Sequence, residues 1–414
     1  MFEKLDPYVF VTKLAGFEHT KYIQGVATHT PQDNTDIPMV QGKNIRDGFF
    51  VPEHDWFIKK DISDELPRSV LDKPCILIPY VGSNLGEVGI FPCNYKCHLA
   101  SNVAKVELVS EKYSLPYLKY YLQSDIGQGY LFQNKQGSAQ PNITMESIRN
   151  TSIIARNIDE QNKICGVLSA IDQKYLTNRN ICSELESMAK TLYDYWFVQF
   201  DFPDENGRPY RTSGGEMVWN DQLKREIPKG WRAGKLSEIA NITMGQSPAG
   251  ESYNETGEGM IFYQGRTDFG MRFPTPRMYT IEPTRFAPKG DILLSVRAPV
   301  GDLNFAMEDC CIGRGLAALN SKLGSQIHLF YTLAGFQQIF GVMDGNGTTF
   351  GSITKDTLFD MGVVIPETTI LKRFEEQVRS IEKKIENCET ENRELTKLRD
   401  WLLPMLMNGQ ATVE

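Results

Sequence analysis

Apolar positions along the chain follow two different periods, and their alternation predicts its organisation. Between residues 371 and 388 they fall at Leu371, Phe374, Val378, Ile381, Ile385 and Cys388, in alternating steps of three and four. That spacing draws one apolar seam along a helix, as in a coiled coil, and leaves Lys372, Arg373, Glu375, Glu376, Lys383 and Lys384 on the other faces. A second such seam runs earlier through Ile164, Leu168, Ile171 and Tyr175, then Leu185, Met188 and Leu192. Taken from near Asp159 to Phe197, that helix spans about 55–60 Å at about 1.5 Å per residue. Asn178 and Asn392 fall on the seams, where a buried amide fixes register at some cost in stability. The steps from Leu395 to Leu398 to Leu402 break the alternation, so the supercoil is expected to be irregular there.

Before each helix the pattern changes. Short apolar runs with Gly and Pro punctuation read as strands: Cys75-Ile-Leu-Ile-Pro, Val103-Ala-Lys-Val-Glu-Leu, Asp291-Ile-Leu-Leu-Ser-Val and Gly315-Leu-Ala-Ala-Leu. Each region then carries a shorter helical stretch, near Leu115–Gln123 and near Ser325–Phe340.

The chain also aligns with itself. Gly137-Ser-Ala-Gln-Pro-Asn-Ile-Thr144 matches Gly347-Thr-Thr-Phe-Gly-Ser-Ile-Thr354 at an offset of 347 − 137 = 210. The register continues ungapped through Ile148 with Leu358, Ile164 with Phe374, Leu168 with Val378, Glu184 with Glu394 and Leu192 with Leu402. This is a duplication, and two such helices in one chain can pair antiparallel about a pseudo-twofold axis. A plain helical hairpin within one domain is the alternative, and the whole module lying between the helices disfavours it. The preceding modules align more weakly, chiefly through Val40-Gln41-Gly42-Lys43 against Tyr263-Gln264-Gly265-Arg266. The fold class is therefore α+β: two globular α/β modules alternating with two long helices. The expected boundaries are 1–157 and 231–365 for the modules, 158–200 and 366–414 for the helices, and 201–230 for a linker.

Composition adds exclusions. At 414 residues and 41% hydrophobic content, the chain supports more than one folded domain. It shows no apolar run long enough to span a bilayer and no signal-peptide pattern at its start, so a cytoplasmic location is expected. Eight scattered cysteines do not form a secreted disulfide framework. Cys93, Cys97 and His98 are the one group with metal-like chemistry, but the spacing is loose and no second pair follows, so reduced thiols are the reading adopted. Net charge is −8; residues 1–157 carry 16 basic and 17 acidic side chains, and residues 231–365 carry a net −2. Charge thus lends no independent support to nucleic-acid binding.

Catalytic motifs are missing as well. There is no Gly-x-Gly-x-x-Gly loop, no Walker A motif and no Asn/Asp-Pro-Pro-Tyr/Phe motif. Asp6-Pro7-Tyr8 lacks the second proline and is expected in an N-terminal strand. Asp201, Asp204 and Glu205 fall in a polar turn that reads as solvated linker.

Several stretches resemble the specificity subunit of type I restriction-modification systems. They are Tyr193-Asp-Tyr-Trp-Phe-Val-Gln-Phe-Asp-Phe-Pro203, Gly207-Arg-Pro-Tyr, Ser213-Gly-Gly, Ile227-Pro-Lys-Gly-Trp231, Gly245-Gln-Ser-Pro248, Gln264-Gly-Arg266, Asp291-Ile-Leu-Leu-Ser-Val-Arg-Ala-Pro-Val-Gly301 and Cys311-Ile-Gly-Arg-Gly315. The distal Arg399-Asp-Trp-Leu-Leu-Pro-Met-Leu-Met-Asn-Gly-Gln410 is similar too. The first module lacks both Gly-x-Ser-Pro and Ile-Gly-Arg-Gly.

The resemblance implies a non-catalytic DNA reader. Each target recognition domain would read half of a bipartite sequence in double-stranded DNA, with the paired helices as a ruler. It also implies two methyltransferase subunits docked on the helices and, in the restriction form, two restriction subunits. S-adenosylmethionine, ATP and magnesium belong to those partners; no cofactor is expected in this chain. For DNA contact the candidates are Gln264, Arg266, Arg297, Arg314, Thr348 and Thr349 in the second module. In the first they are Gln41, Lys43, Asn44, Ser101, Asn102 and Gln140. Arg can pair with guanine and Gln with adenine, but phosphate contacts outnumber base contacts. The alternatives are that these residues merely shape turns, and that the chain is a coiled-coil scaffold that reads no DNA.

Overall fold

A computed structural model of the chain describes residues 2–14, 27–133, 142–337, 339–340 and 352–413. It divides into two compact units, Met1–Tyr175 with Arg393–Glu414, and Leu176–Asn392.

In the first unit, the strands Val9–Lys13, Val103–Leu108, Cys75–Pro79 and Gly89–Phe91 form an antiparallel sheet in that order. A second sheet has the order Phe57–Ile58, Ile37–Val40, Cys97–Leu99, Val70–Leu71, and its central two strands are parallel, with His98 opposite Met39. Cys75–Pro79 is buried along its whole length because both of its faces are covered. Cys75 and Leu77 enter a core with Val40, Leu71, Phe91 and Leu99, while Ile76 and Ile78 pack with Tyr117 and Tyr121 of the helix Leu115–Gln123. Period-two alternation sends neighbouring side chains to opposite faces, so a strand between two layers reads as a continuous apolar run.

The second unit repeats this plan. Ala240–Met244, Leu316–Ser321, Ile292–Ser295 and Leu303–Phe305 form the antiparallel sheet. The other sheet runs Tyr253–Asn254, Tyr279–Thr280, Met260–Tyr263, Cys310–Ile312, Phe286–Ala287, and again its Met260–Tyr263 and Cys310–Ile312 pair is parallel, with Phe262 opposite Cys311. Each module is closed by a strand pair linking its start to its end, Phe2–Lys4 with Ser152–Ile154 and Arg232–Lys235 with Gly362–Ile365. The two modules that look unlike in sequence therefore share the topology of both sheets, apart from the edge strand Tyr253–Asn254 in the second and a separate hairpin, Ile45–Arg46 with Phe49–Phe50, in the first.

The long helices run Ile158–Tyr193 and Thr368–Asn408. The first passes into a π-turn, Asp194–Val198, which turns Trp196 and Phe197 into the core of the second unit. In the first unit Ile164, Cys165 and Leu168 share a core with Leu403, Leu406 and Met407. In the second, Cys182 packs with Ile385 and Cys388. The Asn178 amide Nδ2 donates to Asn392 Oδ1 at 3.0 Å and to Glu391 Oε2 at 2.8 Å, so one buried seam amide bonds to the other.

Two local readings change. Asp6–Tyr8 is a single 3-10 turn between two strands, since Pro7 supplies no N–H for a ladder. Asp201 is buried and accepts from the Thr212 backbone N–H at 2.7 Å and from the Thr212 hydroxyl at 2.6 Å, while Asp204 caps the turn through the N–H groups of Asn206 and Arg208. Both carboxylates hold the segment after the π-turn in place. Among the described residues no helix is long and apolar enough to cross a membrane.

Glu186 contributes a pH dependence to the second unit. Burial pushes Glu186 up to about 7 from an ordinary 4.5; Glu382 and Glu389 push the same way, and Arg272, 3.5 Å distant, opposes them. The folded chain then holds a proton that the unfolded chain has released. This contribution to stability is present below about pH 4.5 and lost as pH rises to about 7. The buried His328 ring, held down at about 3, acts in the opposite sense over much of the same range, so the comparison is between proteins. The stability of the wild type relative to Glu186→Gln should fall as pH rises from about 4.5 to about 7, as denaturation midpoints of the two would show.

Candidate nucleic-acid interface

Both modules end their parallel strand pair in the same loop arrangement. In the second module, Gln264 follows Met260–Tyr263 and Arg314 follows Cys310–Ile312. The Gly313 N–H donates to the Tyr263 carbonyl at 2.8 Å and the Gly315 N–H to that of Gln264 at 3.1 Å. The Val296 N–H donates to Gly315 O at 2.9 Å, which brings in Arg297. The Gly-x-Ser-Pro segment closes the group: Gln246 N–H meets Ile312 O at 3.0 Å, and Ser247 Oγ accepts from the Arg314 N–H at 3.3 Å. Gln264, Arg297 and Arg314 thus extend from adjoining, mutually bonded loops, and all three side chains are exposed. Arg266 sits two residues further on, paired with Asp302 at 2.5 Å.

Glycine is what lets these loops meet. A Cβ on Gly245 would lie 2.1 Å from the Gly313 carbonyl oxygen, and one on Gly315 would lie 2.7 Å from that of Gln264. Gly265, inside Gln264-Gly-Arg266, has nothing within 4 Å of a Cβ position.

The first module reproduces the arrangement with other residues. Ala100 N–H donates to Val40 O at 2.9 Å, Tyr80 N–H to Asn102 O at 3.1 Å, and Ile143 N–H to Tyr80 O at 3.0 Å. The last bond has its counterpart in Ile353 N–H to Val296 O at 2.9 Å, at the 210-residue offset of the duplication. Superposing these bonds equates Gln41 with Gln264, Lys43 with Arg266, Ser101 with Arg314, Asn102 with Gly315 and Val81 with Arg297.

Not every candidate faces outward. Asn44 is buried: its Oδ1 accepts from the Gln41 N–H, and its Nδ2 donates to the carbonyls of Val51 and Glu53 at 3.0 and 2.6 Å. Asn102 Oδ1 accepts from the Gly42 N–H at 3.2 Å. These two asparagines hold the loops. Lys43 is exposed and paired with Asp55, Ser101 is exposed, and Gln41 is half-buried. Gln140, Thr348 and Thr349 lie outside the described residues.

Sequence reasoning passed over Tyr80, whose hydroxyl donates to the Ser101 carbonyl and whose ring lies 4.8 Å from Lys13 Nζ, and also Gln246 and Ser247. The available signal was position, since Tyr80 ends an apolar strand as Val296-Arg297 does. Cys97 and His98 are buried, with His98 Nδ1 2.9 Å from the Leu99 carbonyl. Burial pushes the Cys97 thiol up to about 12 and holds the His98 ring down at about 4, so both are neutral at pH 7.

A family model described as the type I restriction modification DNA specificity domain matches the chain twice, over residues 24–187 and 228–396. The chain belongs to this family. Members are DNA sequence-recognition subunits of type I restriction-modification complexes and are not themselves enzymes. Among curated relatives, a Methanocaldococcus jannaschii protein assigned as the MjaX specificity subunit is 29% identical over 72% of this chain and 69% of its own length. The HindI specificity subunit of Haemophilus influenzae is 22% identical, covering 65% of this chain and 71% of that one. In fold, the type I restriction-modification S subunit of M. genitalium is similar with a TM-score of 0.53, at 17% identity, over 98% of this chain and 96% of that one.

Proposed function

We propose that the two modules of this specificity subunit each read one half of a bipartite DNA target, with residues 1–157 and 231–365 as the recognition domains. The long helices pair antiparallel about a pseudo-twofold axis, set the unread spacer and dock two methyltransferase subunits. The observation that carries this reading is the repeated loop arrangement, which presents Val81 and Ser101 in one module where the other presents Arg297 and Arg314. A shared platform with different side chains is what two different half-sites require. Met188 and Leu398 support the docking of two copies of one partner: they are 210 residues apart, and both are exposed apolar side chains on the long helices. A net charge of −8 fits a cytoplasmic subunit whose partners supply much of the phosphate contact.

The deciding experiment co-expresses this chain with its cognate methyltransferase subunit and maps N6-methyladenine in host DNA. A single bipartite motif that disappears when this chain is omitted establishes the reading. Methylation that does not depend on the chain, despite a soluble complex, points instead to a scaffold. Arg314→Ala should then weaken binding of the assembled complex to the mapped duplex by about 1–3 kcal/mol. Base changes in one half-site should lose part of their penalty while those in the other keep it, as titration with substituted duplexes would show.

A further inference from the structure

Each unit contains a buried junction of opposite charges joining its module to segments of both long helices. In the first unit, Lys119 Nζ donates to Asp172 Oδ2 at 2.7 Å, with both side chains only 7% exposed. The Tyr120 hydroxyl donates to the same oxygen at 2.7 Å, and Arg399 Nη1 stands 3.8 Å from Asp172 Oδ1. Lys119 comes from the module, Asp172 from the first long helix and Arg399 from the second. In the second unit, Arg272 Nη2 donates to Glu382 Oε2 at 2.6 Å and its Nη1 lies 3.5 Å from Glu186 Oε1. Arg272 belongs to the module and is 2% exposed, while Glu186 and Glu382 belong to the first and second long helices.

The acid is the common element. Asp172 and Glu382 are 210 residues apart, so they occupy one position of the duplicated helix. The cations have different origins. Counted from the equivalent caps Ser114 and Ser325, Lys119 corresponds to Phe330. The fold therefore accepts an aromatic ring at the lysine's place. Even so, the second module brings Arg272 from a loop, lays it 4.1 Å over the Phe330 ring and delivers its charge to the equivalent carboxylate. Packing alone does not call for this. Buried ion pairs contribute little net stability compared with apolar residues of similar size, and their distinctive property is a fixed geometry.

We propose that Asp172 and Glu382 are positioning residues: each receives one buried cation from its own module and fixes the orientation in which that module presents its loops to DNA. The inference rests on the bipartite-reading proposal above. Neither carboxylate touches DNA; each acts through the module it anchors.

The test replaces the closest ion pair of each junction by apolar residues of similar size, Lys119→Met with Asp172→Leu, and separately Arg272→Met with Glu382→Leu. Each doubly substituted full chain is assembled with its methyltransferase subunits and titrated with the mapped duplex and with duplexes altered at one base in either half-site. Thermal melting is followed in parallel. The expected result is that both variants still melt cooperatively, with discrimination at one half-site reduced about fivefold or more and the other unchanged. The two variants should affect opposite half-sites. Asp172→Glu with Lys119 retained should restore most of the discrimination. Full discrimination in the apolar variants, or equal loss at both half-sites, would overturn the proposal. A wild-type complex with no half-site preference would overturn the bipartite reading itself, which separates that failure from this one.

Discussion

Trp196→Ala is expected to lower the unfolding free energy of the second unit by about 3–5 kcal/mol, the range for emptying a large aromatic site in a packed core. Trp196 is 1% exposed, and its ring centroid lies 5.7 Å from that of Phe374 and 6.3 Å from that of Phe197. Phe197 in turn lies 5.9 Å from Trp231, which stacks on Phe202 at 5.0 Å. Removing the indole empties the point where the π-turn, the polar segment after it and the second long helix meet. Arg373, whose guanidinium lies 6.0 Å from the Trp196 ring, loses that contact as well. Urea denaturation followed by circular dichroism reads the effect. Trp401 is the internal control. It is 61% exposed, so Trp401→Ala should change the same measurement by no more than about 0.5 kcal/mol.

Gly245→Ala should have the largest effect on DNA reading by the second module. The added methyl group would stand 2.1 Å from the Gly313 carbonyl oxygen and 2.8 Å from that of Leu316, both backbone atoms that no side-chain rotation can clear. Relieving the clash must separate the Gly-x-Ser-Pro segment from the loop carrying Arg314. Overpacking of this kind costs about 1–3 kcal/mol. Because the strain falls where Gln264, Arg297 and Arg314 adjoin, affinity for the mapped duplex should drop roughly tenfold or more at a cost of about 1.4 kcal/mol per tenfold. Gly265→Ala, in an open position, should leave affinity close to wild type. If the two substitutions behave alike, the close approach of these loops is not what shapes the interface.

How far the sequence reaches varies from one element to the next. The long helices are legible because their seam depends on local spacing alone: Ile164, Leu168 and Ile171, and Phe374 and Val378, sit where the period places them. The amides Asn178 and Asn392 are legible for the same reason, although no pattern says that they bond to each other. The likeness of the modules is largely hidden. Strands of two to six residues carry little periodic signal, and Phe262 opposite Cys311 shows nothing in common with His98 opposite Met39 except register. Among the candidate contacts, a polar residue in a loop looks the same whether it faces outward or inward. Asn44 has the composition of a DNA-reading residue, but its amide is occupied by the carbonyls of Val51 and Glu53.

By itself the sequence determined the duplication, the two long helices, the α+β alternation and the family, because each rests on spacing or motif within a continuous stretch. Only the tertiary structure decided which loops adjoin, which polar side chains are already satisfied and which charges meet in the interior. Lys119 with Asp172 and Arg272 with Glu382 are separated by 53 and 110 residues. Such pairs form because folding carries both partners out of water to one place, where an unpaired charge is costly. Local patterning records which residues enter the interior. It does not record which of them meet there.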